Sequence, residues 1–167
     1  MITIRELTEK DIFDLLKLMR EINNTIINKT WWLPVGPDEE KILFDTSKCI
    51  FYGAFDDKKL IGASALFLNE KDFKHISTYV KNIENKKVGK ISRCMVMKDY
   101  RGNNLMYQLN LKLVDLAKQL HYDSLIVILH PDNIASKKSL TKLGMKKEAE
   151  FVKDNVYPRE ILKLELK

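Results

Sequence analysis

Two short stretches of the sequence carry residues whose types and spacing could bind a ligand. The first, DYRGNNLMYQL at positions 99–109, places Arg101 and Gly102 between an apolar run and a helix-like segment. Free N–H groups in the first turn of a helix, together with the positive end of its dipole, favour a bound anion. The amide donors would come from Gly102, Asn103, Asn104, Leu105, Met106 and Tyr107. The stretch is therefore either a phosphate cradle, with Arg101 as a cationic contact, or a polar turn that caps a core helix.

The second stretch, HPDNIASKKSLTKLGM, follows the apolar run SLIVIL. Asn133 is predicted to be the N-cap of a helix, which places Ser136 and Lys137 at the same end of any pocket beside it. His130 could titrate near neutrality and act as an acid or a base, or it could cap the HPDN turn. The sequence leaves both roles open.

Two apolar strands and an amphipathic helix must position these stretches. KVGKISRCMVM is nearly continuous in apolar residues towards its end, which favours a central strand. The helix after the first stretch has a leucine-rich stripe from Leu105 to Leu120 at helical spacing. SLIVIL then fits a parallel neighbour of the first strand, reached by a right-handed crossover.

The other elements follow from local patterns. ITIREL predicts a first strand, and Thr8 with Asp11 predicts the start of a helix over 9–23. CIFYGAFDD and KKLIGASALFL predict an antiparallel hairpin, and Gly144 predicts the end of the helix that follows Asn133. Two further helices are expected near 38–46 and over 70–86, and a terminal pair of strands is expected over 145–166.

Composition limits the classes of protein. The 167 residues, 45% hydrophobic, suffice for a single domain spanning 1–167. The net charge is +6, but acidic residues interrupt the Lys71 to Lys90 patch, which weakens a nucleic-acid interpretation. The two cysteines have no metal-binding spacing, so we expect no metal. No signal sequence or run of about 20 apolar residues occurs, so we expect a cytoplasmic protein that does not bind membranes.

With these elements in place, the sequence resembles the GCN5-related N-acetyltransferase (GNAT) family. VMKDYRGNNLMYQL resembles the acyl-CoA loop of that family, and HPDNIASKKSLTKLGM resembles its next motif, in the same order and at the same spacing. The resemblance implies an α/β fold of three layers: a mixed, mostly antiparallel twisted sheet with helices on both faces. It also implies a splayed parallel strand pair and acetyl-CoA as the co-substrate.

The resemblance further assigns a role to each part of the cofactor site. The loop would hold the pyrophosphate of coenzyme A, although Asn104 and Met106 stand where the family has glycine. Asn tolerates a left-handed backbone, whereas Met106 keeps the site open only if its side chain points to the core. The backbone of Cys94, Met95 and Val96 would pair with the pantetheine arm, and Asn133 with Ser136 would contact the cofactor.

The resemblance leaves the catalytic residues unknown. Leu140 stands where many members have a tyrosine that acts as the general acid. The strand ISRCMVM carries no carboxylate that could act as the general base. His130 and Tyr157 are the remaining candidates. Trp31 and Trp32 would either form a lid over the acceptor or pin a loop onto the core.

We therefore expect an acyl-CoA-dependent N-acyltransferase that moves an acetyl group to a primary amine of a small molecule or peptide. The alternative is a CoA-binding sensor or regulatory module without turnover. A nucleic-acid binder is a third and weaker class, and pairing of two copies as a homodimer is left open.

Overall fold

The computed structural model describes residues 1–31, 46–68 and 76–167. Each of the seven predicted strands and three of the predicted helices occur there. In chain order they are β1 Ile2–Glu6, α1 Ile12–Thr25, β2 Cys49–Asp56, β3 Lys59–Phe67, β4 Val88–Val96, α2 Leu105–Gln119, β5 Ser124–Leu129, α3 Ile134–Lys142, β6 Lys146–Lys153 and β7 Tyr157–Glu165.

The strands form one sheet in the order β1-β2-β3-β4-β5-β7-β6. Neighbouring strands are antiparallel except β4 and β5, which are parallel and joined through α2. The predicted fold class is thereby confirmed. The parallel pair lies in the middle of the sheet. The loops that follow β4 and β5 therefore lie at the same edge of the sheet, where ligands commonly bind in such folds.

Helices cover both faces of the sheet. Strand β3 is buried from Leu60 to Phe67 because α1 packs on one face and α2 on the other. Residues of α1 pack in one cluster with Ile61 of β3, whereas a Cβ at Gly62 would lie 3.3 Å from Leu109 of α2. Strand β3 therefore fixes α2, and with it the loop that precedes α2.

The start of α1 matches the predicted capping pattern. Thr8 and Asp11 form a capping box at a short 3-10 turn over Glu9–Asp11, and α1 itself begins at Ile12. The Asp11 carboxylate also accepts two hydrogen bonds from Arg5, at 2.8 and 2.7 Å. These bonds hold the pKa of the Asp11 carboxyl well below its usual range.

The prediction of a helix over 70–86 is wrong for the described residues, 76–86. Ile76–Thr78 forms a 3-10 turn, and the chain then continues in turns up to β4. Asn82 and Asn85 adopt positive φ angles of 60° and 59°, which an α-helix cannot accommodate. Ile76 and Val80 are buried in a cluster with Val88, so the apolar spacing reflects a loop that packs on the sheet.

Several predictions fall on undescribed residues. Three predictions lie wholly or partly outside the described ranges: the helix near 38–46 except its last residue, the first part of the 70–86 segment, and Trp32. Among the described helices, none is long and apolar enough to cross a membrane.

Candidate functional site

A cleft of about 1160 Å³ opens where β4 and β5 separate. The two strands pair through Val88↔Ser124, Gly89↔Leu125 and Lys90↔Ile126. Beyond these pairs β4 continues to Val96 and β5 to Leu129 without pairing to each other. The backbone groups on the facing edges of these segments are thus available to a ligand that runs between the strands.

A bulge lies in the part of β4 that extends beyond its pairs with β5. Its register with β3 shifts so that Ala63 faces Met95 while Ala65 faces Ser92. Arg93 and Cys94 therefore stand opposite the single residue Ser64, and Arg93 takes a left-handed φ of 56°. A bulge disrupts the ladder locally and increases the twist of the strand, and both bulge residues border the cleft.

The loop between β4 and α2 has the geometry of an anion site. Gly102 has a φ of +83° and Asn104, the N-cap of α2, has a φ of 62°. Asn104 thus occupies the left-handed conformation that a glycine would otherwise supply, as the sequence led us to expect. The first intrahelical bond runs from the Gln108 amide to the Asn104 carbonyl, so the amides of residues 105–107 precede the hydrogen-bonded ladder.

Two side chains fix this loop to the sheet. Arg101 donates from Nε to the Val96 carbonyl at 3.0 Å, which joins the loop to the end of β4. The Tyr100 hydroxyl donates to the Asp56 carboxylate at 2.9 Å, and this bond raises the pKa of Tyr100. Arg101 also borders the cleft, and its guanidinium has four N–H donors besides the one at Nε.

Met106 packs against the core and also borders the cleft. Its partly buried side chain packs against the core cluster that contains Leu105 and Leu109, and the residue also borders the cleft. A Cβ at Gly102 would meet no atom within 4 Å, so the loop is open where a ligand would approach it. The methionine at this position therefore packs inward without filling the space beside Gly102.

Helix α3 supplies the opposite wall. The Asn133 side chain accepts a hydrogen bond from the Ser136 amide at 3.3 Å, which confirms its role as N-cap. Both residues border the cleft. Lys137 does not, contrary to its expected direction, because its ammonium pairs with Glu160 at 2.8 Å.

Most of the predicted cofactor-binding residues border the cleft, and both catalytic candidates lie elsewhere. Among the twelve predicted residues only Asn103 is missing from the described lining. His130 is buried, and its Nδ1 accepts a hydrogen bond from the Asp132 amide at 3.1 Å, so it caps the HPDN turn. Tyr157 lies 5.8 Å, ring centroid to guanidinium carbon, from Arg159. Neither His130 nor Tyr157 is part of the described lining.

The other end of the cleft is aromatic and cationic. Tyr79 stacks on Phe151 with ring centroids 4.8 Å apart, and Trp31 lines the same region with its Nε1 buried. Arg159 donates to the Thr30 carbonyl at 3.0 Å, and burial lowers its pKa. Trp31 therefore borders the cleft. Trp32, the other tryptophan predicted to form an acceptor lid or pin a loop, lies outside the described residues.

Several polar residues that line the cleft were not predicted from the sequence: Arg93, Ser139, Lys142, Asp154 and Arg159. Lys142 donates to the Asn104 side chain at 3.3 Å, and its ammonium lies 4.4 Å from the centroid of the Tyr107 ring. The signal for Ser139 and Lys142 was the three-residue spacing from Asn133 through Ser136. In the described ranges, no group of three or more His, Cys, Asp or Glu residues is arranged to hold a metal ion.

Solved structures share this fold at low sequence identity. A GNAT-family acetyltransferase from Streptococcus agalactiae superimposes with a TM-score of 0.79 at 16% identity, over 99% of this chain and 96% of that one. yncA from Salmonella typhimurium, solved with its cofactor acetyl-CoA, gives 0.73 at 16% identity, over 99% and 94%. The ribosomal-protein-S18-alanine N-acetyltransferase from Escherichia coli gives 0.70 at 13% identity, over 100% and 95%.

No curated protein sequence matches this chain. The family description "Acetyltransferase (GNAT) family" matches residues 14–145, which include β4, the loop, α2, β5 and α3. This span contains the splayed strands and both motifs that line the cleft. The chain therefore belongs to the acetyltransferase (GNAT) family, whose acyl donor is acetyl-CoA.

Proposed function

We propose that this protein is an N-acyltransferase that moves the acetyl group of acetyl-CoA to a primary amine of a small molecule or peptide. One observation carries the proposal: the helix N-terminus at Gly102–Met106 and the unpaired edge of β4 line the same cleft. An anion site and an adjacent open strand edge fit a ligand with a phosphate head and an amide-containing arm.

The loop is suited to the pyrophosphate of the acyl donor. The amides at the start of α2 point along the helix axis, and Arg101 and Lys142 add positive charge near them. The cleft exceeds the roughly 300 to 1,000 Å³ of ordinary small-molecule sites, which suits an elongated ligand. Asn133 and Ser136 would contact the arm from α3.

The backbone of Cys94, Met95 and Val96 would bind the pantetheine arm as a further strand. Strand β4 keeps its hydrogen bonds to β3 here except at the bulge, so its other edge is held rigidly towards β5. When bound, the donor supplies an activated acyl group in its thioester. Backbone N–H groups at the bulge would stabilise the negative charge that develops on the thioester oxygen.

Orientation of the two reactants carries most of this mechanism. Leu140, which stands in place of the family tyrosine, is buried in a core cluster and offers no proton. The residues of β4 include no carboxylate. Holding the amine against the thioester can itself be worth about 7 kcal/mol or more, with the amine proton passing to water. We therefore assign no acid or base to His130 or Tyr157.

The second candidate function is a CoA-binding sensor without turnover. The buried Leu140 and the absence of a carboxylate on β4 favour it. It shares the whole cofactor site with the enzyme, so only catalysis separates the two. Release of free thiol from acetyl-CoA across a panel of primary amines is the measurement that does so: tight binding with no release on any amine would support the sensor.

The cofactor site is tested by calorimetry with Gly102→Pro. Proline holds φ near −65°, whereas Gly102 requires +83°, so the loop cannot keep its shape. We expect CoA affinity to fall at least about a hundredfold, roughly 2.7 kcal/mol. Urea unfolding should change little, because residue 102 is exposed and makes no core contact. Unchanged affinity in this variant would refute the loop assignment, and absence of binding in the wild type would refute both candidate functions.

A further inference from the structure

Three polar side chains meet beneath the bulge of β4, on the face of the sheet that α2 covers. Ser64 of β3 donates to the Asn110 side-chain oxygen at 2.8 Å, and its hydroxyl lies 3.2 Å from the Cys94 thiol. The Cys94 sulfur lies 3.7 Å from the same Asn110 oxygen. Ser64 and Asn110 are 0% and 1% exposed. We refer to these residues as the Ser64–Cys94–Asn110 cluster.

The cluster is costly for the stability of the fold. The Asn110 side-chain Nδ2 is buried and has no hydrogen-bond partner among the described residues. An unpaired buried polar group costs about 1 to 3 kcal/mol, whereas apolar residues of similar shape would pack here without that penalty. Apolar residues Leu109 and Leu113 flank Asn110 on the helix, and both are fully buried. A polar cluster kept in such surroundings calls for an explanation other than packing.

The cluster contacts the bulge at the point where its conformation is least favourable. Ser64 is the β3 residue opposite both Arg93 and Cys94, and Arg93 is held in the left-handed region. For a residue other than glycine that conformation costs about 1 kcal/mol or more, so surrounding contacts must impose it. The contacts from Ser64 and Asn110 to the thiol fix Cys94 on the α2 side of the strand. The position of the bulge along β4 is then fixed as well.

The same cluster connects the two ends of the proposed cofactor site. Asn110 lies less than two turns from Asn104, the N-cap at the phosphate loop. The bulge lies farther along the cleft, beyond the last β4–β5 pair, where the strand edge is open. A shift of the strand relative to α2 would therefore change the distance between the phosphate loop and the bulge.

We propose that Ser64 and Asn110 are positioning residues that hold the β4 bulge so that its backbone N–H groups meet the thioester carbonyl of the acyl donor. The inference rests on the proposed acyl transfer and adds the side chains that set its geometry. Ser64 and Asn110 do not border the cleft in the described lining, so neither is expected to contact the donor itself. They act through the backbone of Arg93 and Cys94.

The test uses Asn110→Leu and Ser64→Ala, with acetyl-CoA carrying ¹³C at the thioester carbonyl. Leucine has a shape similar to that of Asn110 and removes its unpaired Nδ2, but it leaves the buried Ser64 hydroxyl only the Cys94 sulfur as a partner. These two effects oppose each other, so the stability of the variant in urea should stay close to that of the wild type. We expect both variants to bind CoA within about twofold of the wild type, a difference below 0.5 kcal/mol. The bound ¹³C resonance should move towards its position in free acetyl-CoA, and the acyl-transfer rate should fall about tenfold to a hundredfold.

Ser124→Ala is the matched control. Ser124 is also fully buried, with a hydroxyl that has no partner among the described residues, but it lies at the start of β5 and away from the bulge. This control should leave the ¹³C resonance unchanged. A ¹³C resonance and a transfer rate equal to those of the wild type in both cluster variants would overturn the inference. A loss of CoA affinity as large as the loss of rate would overturn it too. If the wild type binds no acetyl-CoA, the proposed function fails instead. If Asn110→Leu does not fold, Ser64→Ala decides the matter.

Discussion

Lys142 of α3 lies beside Asn104 in the loop between β4 and α2, with 3.3 Å between its ammonium and the side-chain oxygen. The same ammonium lies 4.4 Å from the centroid of the Tyr107 ring, in the first turn of α2. Helix α3 thereby brings a cation to the N-terminus of α2. Two independent sources of positive potential converge at one place, the helix dipole and the lysine.

We predict that Lys142→Met weakens CoA binding about tenfold, or roughly 1.4 kcal/mol, at low salt. Methionine has a side chain of similar length and apolar character to the lysine stem, and it removes the charge. The loss should shrink as ionic strength rises, because salt screens the interaction between exposed charges. Calorimetry at two salt concentrations measures both effects. Lys118→Met, at the far end of α2, is the control, and equal losses in both variants would contradict a local role for Lys142.

The Arg5–Asp11 pair should make stability depend on acidity. The folded protein holds the pKa of Asp11 well below the unfolded value of about 3.9. The ionised carboxylate therefore stabilises the fold above about pH 4, and this contribution is lost as the pH falls towards the folded pKa. Asp11→Asn should cost about 1 to 2 kcal/mol at pH 7, since Arg5 is half exposed.

Urea unfolding of the wild type and Asp11→Asn at pH 7, 5 and 3 checks this dependence. The difference between the two proteins should be equal at pH 7 and 5 and smaller at pH 3. Asp115→Asn, an exposed carboxylate on α2, should show no comparable difference. A gap that persists undiminished at pH 3 would show that Asp11 acts through shape rather than charge.

The Cys94 thiol should be slow to react in the folded protein. Burial raises the pKa of this thiol, although its hydrogen bonds with Ser64 and Asn110 oppose the shift. Since the thiolate is the reactive form, alkylation by iodoacetamide at pH 8 should be at least about a hundredfold slower than in denaturant. Mass spectrometry of the peptide that contains Cys94 measures the rate. Comparable rates in the two conditions would mean that the thiol faces the cleft.

Local patterns predicted the elements because each depends on near neighbours in the chain. The strands follow two-residue alternation or apolar runs, and Asn133 caps α3 through an amide only three residues away. The same reasoning failed over 76–86. Apolar spacing there resembled a helix, but Asn82 and Asn85 turn the backbone and the buried side chains belong to a loop.

Contacts between distant segments were beyond these patterns. Ser64 and Asn110 are 46 residues apart, and Lys142 lies 38 residues from Asn104. Each residue alone reads as an ordinary polar position of a strand or a helix. Their roles depend on how α2 lies across β3 and how α3 lies beside α2. Family resemblance located the cleft, and the tertiary contacts identified the side chains that shape it.

The seven strands form one sheet, but few hydrogen-bonded pairs join its two central strands, β4 and β5. Only three residue pairs link β4 to β5, so strands β1–β4 and strands β5–β7 are held together there mainly through the helices packed on them. A ligand that bonds to both edges of the gap would close it. Its binding would then add to the free energy of unfolding, by about 2.7 kcal/mol at a hundred times the Kd. We therefore expect the resistance of this protein to proteolysis to rise with the concentration of its acyl donor.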